Sequence, residues 1–162
     1  APGDVDRILS QLEGTNLQYI LMTHADSDHI AVLPQLREAT GAPVGIHASE
    51  PIPLQQPPDF LIEDGQIIRF GNVELRSIYT PGHTPGSMSF VTGDILIDGD
   101  TLFPGGPGNT QRPGGDFDQI INSIRTKLFV LPDATRVYPG HGKPTTIGAE
   151  KPHIEEWMAR GY

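Results

Sequence analysis

Four side chains able to hold a metal ion fall within the six residues His24-Ala25-Asp26-Ser27-Asp28-His29, directly after the apolar run Tyr19-Ile20-Leu21-Met22. A short apolar run of this kind reads as a buried strand, and a polar cluster at its C-terminal end sits where α/β domains gather their chemistry. The flanking pattern agrees. Val5, Ile8, Leu9 and Leu12 share one helical face across Asp4 to Leu12, with Gly14 as a stop. From Ile30 to Thr40 the residues Val32, Leu33 and Leu36 return to helical spacing before Gly41, and Val44 to His47 reads as a second strand. The first quarter of the chain is thus expected to run α, β, α, β.

Beyond a proline-rich stretch from Pro51 to Pro58, expected to be an irregular loop, strands joined by short turns take over. Gln66 to Phe70 and Val73 to Thr80 flank Gly71-Asn72, and Ser87 to Thr92 and Ile95 to Asp98 flank Gly93-Asp94. Both dipeptides suit tight hairpins, so an antiparallel meander is predicted. A glycine- and proline-rich loop covers Gly105 to Gly115. Phe117, Ile120, Ile121, Ile124 and Leu128 then mark an amphipathic helix, Arg136 to Tyr138 a final short strand, and Ile154, Trp157 and Met158 a C-terminal helix.

At 162 residues the chain has the size of one domain. No apolar run approaches the ~20 residues of a membrane span. A formal net charge of -9 repels phosphate backbones and anionic lipid, which argues against nucleic acid and membrane as partners. The absence of cysteine removes disulfides, thiolate metal sites and a cysteine nucleophile. The N-terminus lacks the basic start and apolar stretch of a secretory signal, and cytoplasm is the default expectation. A small-molecule substrate is the expected partner, with a homo-oligomer as an option.

On its own the His24 to His29 segment also reads as a solvated polar loop capping the next helix, with Asp28 favoured by the helix dipole. Three later segments shift the balance. Thr80-Pro81-Gly82-His83-Thr84-Pro85-Gly86-Ser87, Asp98-Gly99-Asp100-Thr101-Leu102-Phe103 and Tyr138-Pro139-Gly140-His141-Gly142 each set a ligand-type residue among turn formers at a strand end. Glycine beside a ligand permits close backbone approach and proline restricts the loop, so the ligand is held in advance. Carboxylates and imidazoles together suit zinc, iron or manganese.

In this order HADSDH, PGHTPGS, DGDTLF and PGHG resemble the metal signature of the metallo-β-lactamase superfamily. RPGGD from Arg112 and PGHGKPTTIGAE from Pro139 are similar to its small bacterial glyoxalase II-like members. The resemblance spans nearly the whole chain and implies an α/β fold of two mixed sheets packed face to face with helices outside, an αββα sandwich. It implies two divalent ions, zinc first among the candidates: His24 and His83 with Asp26 on one, Asp28, His29 and His141 on the other, and Asp100 bridging. The implied activity is hydrolysis of a thioester or related acyl compound by water activated between the ions, with Asp100 orienting it and Asp28 helping to handle the proton. A lactone or phosphoester is chemically compatible with the same ions.

The chain departs from that pattern twice. Asp26 stands where most hydrolases of the family carry histidine, and an anionic oxygen donor favours harder metals such as iron or manganese. This motivates an iron-dependent oxidoreductase as the alternative. The opening APGD resembles the loop that follows the family's first strands, so those strands are expected to lie in further N-terminal residues or to be supplied by a neighbouring subunit. His47 and His153 lack glycine-flanked settings and are expected to be surface or packing residues. GHGKPTT is no phosphate loop, because Val137 stands where its first glycine belongs. Ser87 lacks the surroundings of a nucleophile elbow.

Overall fold

A computed structural model describes residues 4–51 and 57–161. Most of the proline-rich stretch after Pro51 therefore lies outside the described residues. Helix α1 (Val5–Gln11) opens the chain, capped by Asp4, whose carboxylate accepts from Arg7 N at 3.0 Å. Strands β1 (Ile20–Leu21), β2 (Val44–Ile46) and β3 (Phe60–Leu61) pair in parallel as a small sheet.

The helix expected from Ile30 to Thr40 is instead two helices, α2 (Ser27–Ile30) and α3 (Leu33–Thr40). Pro34 explains the break. Its ring clashes with the carbonyl four residues back, that of Ile30, and it has no N–H to give, so it is tolerated only in the first turn of a new helix. Helical structure also begins three residues earlier than expected, within the histidine-rich segment itself.

Strands β4 (Ile67–Phe70), β5 (Val73–Tyr79), β6 (Met88–Thr92) and β7 (Ile95–Gly99) form the antiparallel meander. Gly71 and Gly93 take positive φ at the hairpin turns, while Asn72 and Asp94 do not, the sign pattern of a type II′ turn. A short hairpin of β8 (Leu102–Phe103) and β9 (Gly106–Pro107) follows. Strand β10 (Arg136–Pro139) then joins the meander parallel to β7, with β11 (Thr145–Thr146) on its outer side, giving the order β11-β10-β7-β6-β5-β4.

Three apolar clusters define the layers. Ile78, Val91, Leu96 and Val137 on one face of the large sheet pack against Ile120, Ile121 and Ile124 and against Trp157. The first two of these belong to α4 (Phe117–Ser123), which runs on as a π-helical turn, and the last to α5 (Ile154–Arg160). On the opposite face Leu75, Met88 and Phe90 meet Tyr19, Leu21 and Phe60 of the small sheet and its approach. Met22, Val44 and Ile46 meet Leu33 and Ile30 beyond it. Helix, sheet, sheet and helix are therefore stacked in that order, as the resemblance implied. Past the small sheet the same face of β7 and β10 is open, with Ile97 45% and Tyr138 40% exposed.

Helix α4 sets the PGH turn. Asp116 caps it by accepting from Gln119 N at 2.9 Å, and Asp116 N donates to Gly82 O at 2.8 Å. A Cβ on Gly82 would lie 2.3 Å from Ile120 N, so only glycine lets the helix sit against the turn that presents His83. Asp116→Ala, which removes the cap and leaves the backbone contact, is expected to lower stability by about 1 kcal/mol, read from a urea melt. Among the described residues no helix is long and apolar enough to cross a membrane.

Candidate metal centre

All seven residues singled out in the sequence converge at one edge of the sandwich. His24 follows β1, Asp26 immediately precedes α2, and Asp28 and His29 lie in its single turn. His83 lies between β5 and β6, Asp100 directly after β7, and His141 two residues after β10. Because β7 and β10 are parallel neighbours, with Pro139 beside Gly99 and Gly140 N donating to Gly99 O at 2.8 Å, Asp100 and His141 emerge side by side. Met88 N donates to Thr23 O at 2.8 Å and brings the start of the first loop to the large sheet.

The donor atoms form three overlapping groups: His24, Asp26 and His83; His24, His29 and Asp100; and Asp28, His29 and His141. His83 Nε2 lies 3.3 Å from Asp26 Oδ2 and 3.7 Å from Asp100 Oδ2. His29 Nε2 is 3.4 Å from Asp100 Oδ1 and 3.2 Å from His141 Nε2, which is itself 2.9 Å from Asp28 Oδ2. Tetrahedral bonds of about 2.0–2.1 Å place donors roughly 3.3 Å apart, so these spacings fit the edges of a coordination shell. His24 Nε2 and Asp100 Oδ1 are buried without a hydrogen-bond partner, an arrangement that is unfavourable unless a cation completes it. Gly140 keeps the space beside Asp100 and His29 clear: a Cβ there would stand 2.3 Å from Asp100 Oδ1 and 2.5 Å from His29 Cε1.

The ring nitrogens facing away from the centre are engaged. His83 Nδ1 donates to Asn109 O at 2.7 Å, and His24 Nδ1 lies 3.1 Å from Thr23 Oγ1. Each contact fixes a ring so that Nε2 points inward. Burial, and then the neighbouring charge of His29, bring the His24 imidazole down to about 4, which keeps it neutral and able to ligate near pH 7. Burial pushes Asp100 up, but the approach of His29 and the charges of His24, His29 and His83 outweigh it and hold the carboxyl below its ordinary range. Asp98, fully buried behind it, is raised well above that range by burial, and its Oδ2 accepts from Leu102 N at 2.9 Å.

Exposure runs in a gradient. The His24 side chain is fully buried, whereas those of Asp28 and His141 are 48% and 54% exposed.

Three contacts were not singled out from sequence. Glu50, 4% exposed, accepts from Ala25 N at 2.8 Å, Thr84 Oγ1 at 2.6 Å and Gly86 N at 3.1 Å, and so ties the first ligand loop to the loop of His83. Asn109 supplies the carbonyl for His83. Arg112 donates through Nη1 and Nη2 to both oxygens of Asp26, and its Nη1 is 3.0 Å from His83 Nε2. Burial alone would raise Asp26, but the Arg112 hydrogen bond and the charges of His24 and Arg112 bring it down to about 2. Only Arg112 had a local signal, the RPGGD segment. His47 and His153 lie outside the cluster, His47 stacked on Tyr79 at 4.1 Å and His153 3.5 Å from Glu156.

A sandwich of this layering with such a donor cluster at its edge defines a class, and the chain belongs to the metallo-beta-lactamase superfamily, whose family model matches residues 2–141. It is similar to the probable metallo-hydrolase YqgX of Bacillus subtilis, 37% identical over 82% of this chain and 72% of that protein. It is also similar to the hydroxyacylglutathione hydrolase GloC of Haemophilus influenzae, 32% identical over 92% of this chain and 81% of that one. Among solved structures, TTHA1623 in a di-iron-bound form superposes with a TM-score of 0.78 at 30% identity, over 92% of this chain and 83% of that chain.

Proposed function

We propose that the protein is a metal-dependent hydrolase of thioesters or related acyl compounds, as GloC is by name. The observation that carries this reading is the pair of buried, unpartnered acceptors, His24 Nε2 and Asp100 Oδ1, at the centre of a cluster of imidazoles and carboxylates. His24, Asp26 and His83 would hold one ion, and Asp28, His29 and His141 a second, with Asp100 facing both. When bound there, divalent ions supply Lewis acidity that polarises a carbonyl and lowers the pKa of water from 15.7 toward ~7.

The chain's own residues do the rest. Asp100, held below the ordinary carboxylate range, stays an acceptor and orients the attacking water. Asp28 is 48% exposed at the solvent edge of the cluster and can take up or return a proton as the leaving group departs. Thr23 and the Asn109 carbonyl keep the His24 and His83 rings from turning.

A second reading, iron-dependent redox chemistry, is favoured by one observation: His24, His83 and Asp26 together make a two-histidine, one-carboxylate set, a donor combination used by non-haem iron. The di-iron form of TTHA1623 is consistent with it. Metal analysis and visible absorption of protein purified without added metal, followed by assays on hydroxyacylglutathione, other thioesters, lactones and phosphoesters, separate the two. Zinc content with thioester turnover is the expected result. Tightly bound iron with redox activity and no hydrolysis would overturn it.

A further inference from the structure

We propose that Arg112 is a resident cation that competes with the metal at the His24, Asp26 and His83 group, and so makes the two ion positions unequal in affinity. This rests on the metal-site reading above and adds a regulator that the donor set alone does not contain.

The geometry gives Arg112 two of that group's three donors. Both Asp26 oxygens accept from its guanidinium, the fork-to-carboxylate arrangement in which arginine binds most specifically. With His83 Nδ1 spent on the Asn109 carbonyl, His83 Nε2 is the acceptor of that ring, and Arg112 Nη1 sits 3.0 Å from it. An N–H aimed at a lone pair takes the place a metal bond would take. The His24 Nε2 atom, 3.8 Å from Asp26 Oδ2, is left without a partner, because the guanidinium reaches only its two neighbours.

An ion entering this group must therefore displace Arg112 from His83 and meets a positive charge already neutralising Asp26. The Asp28, His29 and His141 group has no arginine or lysine contact among the hydrogen bonds and ion pairs of the described residues, so it binds without that competition. Arg112 is 28% exposed and emerges from the loop before α4, so it can swing to solvent when displaced. Asp26 is the feature that gives the guanidinium something to hold.

Zinc titration followed by calorimetry, with bound metal counted after gel filtration, tests this on the native protein and on Arg112→Met. The wild type is expected to take one ion tightly and a second at least ten-fold more weakly. Arg112→Met is expected to tighten the weaker step about ten-fold or more, and Asp26→Asn added to that variant to remove the gain, since only then does Asp26 ligate. Circular dichroism reports folding; should Arg112→Met fail to fold, Arg112→Gln gives the same comparison. Two ions bound within three-fold of each other in the wild type, with an unchanged isotherm in the variant, would overturn the role of Arg112 while leaving the metal reading intact. No zinc, iron or manganese binding by either protein would overturn the metal reading, and this proposal with it.

Discussion

Asp100→Ala is expected to abolish metal-dependent hydrolysis, with kcat/KM falling about 10³-fold or more, equivalent to about 4 kcal/mol of transition-state stabilisation. One carboxylate here serves two groups: its oxygens lie 3.4 Å from His29 Nε2, 3.7 Å from His83 Nε2 and 3.6 Å from His141 Nε2. On the proposed reading, alanine would remove a donor shared by both ion positions and the acceptor that orients the water. The fold should survive, because Asp100 makes no hydrogen bond that closes the backbone, and the buried Asp98 accepts the Leu102 N–H in its place. Steady-state assays of the metal-loaded variant beside a thermal melt would decide. Full activity in a folded, metal-loaded Asp100→Ala would sink the mechanism.

Glu50→Ala is expected to cost about 3 kcal/mol of stability and to weaken metal binding about ten- to a hundred-fold, although Glu50 touches no ion position. Its carboxylate is the shared acceptor for Ala25 N, Thr84 Oγ1 and Gly86 N, drawn from two loops that meet nowhere else in sequence. The substitution leaves Ala25 N and Gly86 N unpaired in a place closed to water, while Thr84 Oγ1 keeps Ser87 Oγ at 2.8 Å. The replacement cannot be rescued by collapse, since a Cβ on Gly86 would already sit 2.3 Å from Glu50 N and the loops are in contact through backbone. Urea unfolding with metal titration reads both effects. A loss below about 0.5 kcal/mol would show that the loops hold themselves in place.

The meander and the candidate ligand positions were legible because both are local in sequence. Alternation in Val73 to Thr80 and in Ser87 to Thr92, with a glycine-led dipeptide closing each hairpin, leaves few ways to form the meander. The ligand loops announce themselves by placing one histidine or aspartate beside glycine and proline. What escaped notice depends on partners far along the chain. Glu50 has no distinguishing neighbour in sequence, and its role exists only once Ala25 and Gly86 are folded around it, 25 and 36 residues away. Arg112 meets Asp26 across 86 residues. The single helix expected from Ile30 to Thr40 failed for a different reason: apolar spacing outvoted Pro34, whose steric rule was the stronger constraint.

The gradient of exposure across the cluster bears on how fast ions come and go. Asp28 and His141 stand about half in solvent, while the His24 side chain is wholly enclosed. An ion held by the outer pair would exchange with the medium past accessible side chains, whereas one held by His24 would leave only past the outer residues or through a local opening of the α2 turn. Residence time would then be set by depth and equilibrium strength by the donors, and the two need not rank the positions alike. A chelator applied for minutes and a dialysis run for days then sample different occupancies of the same protein.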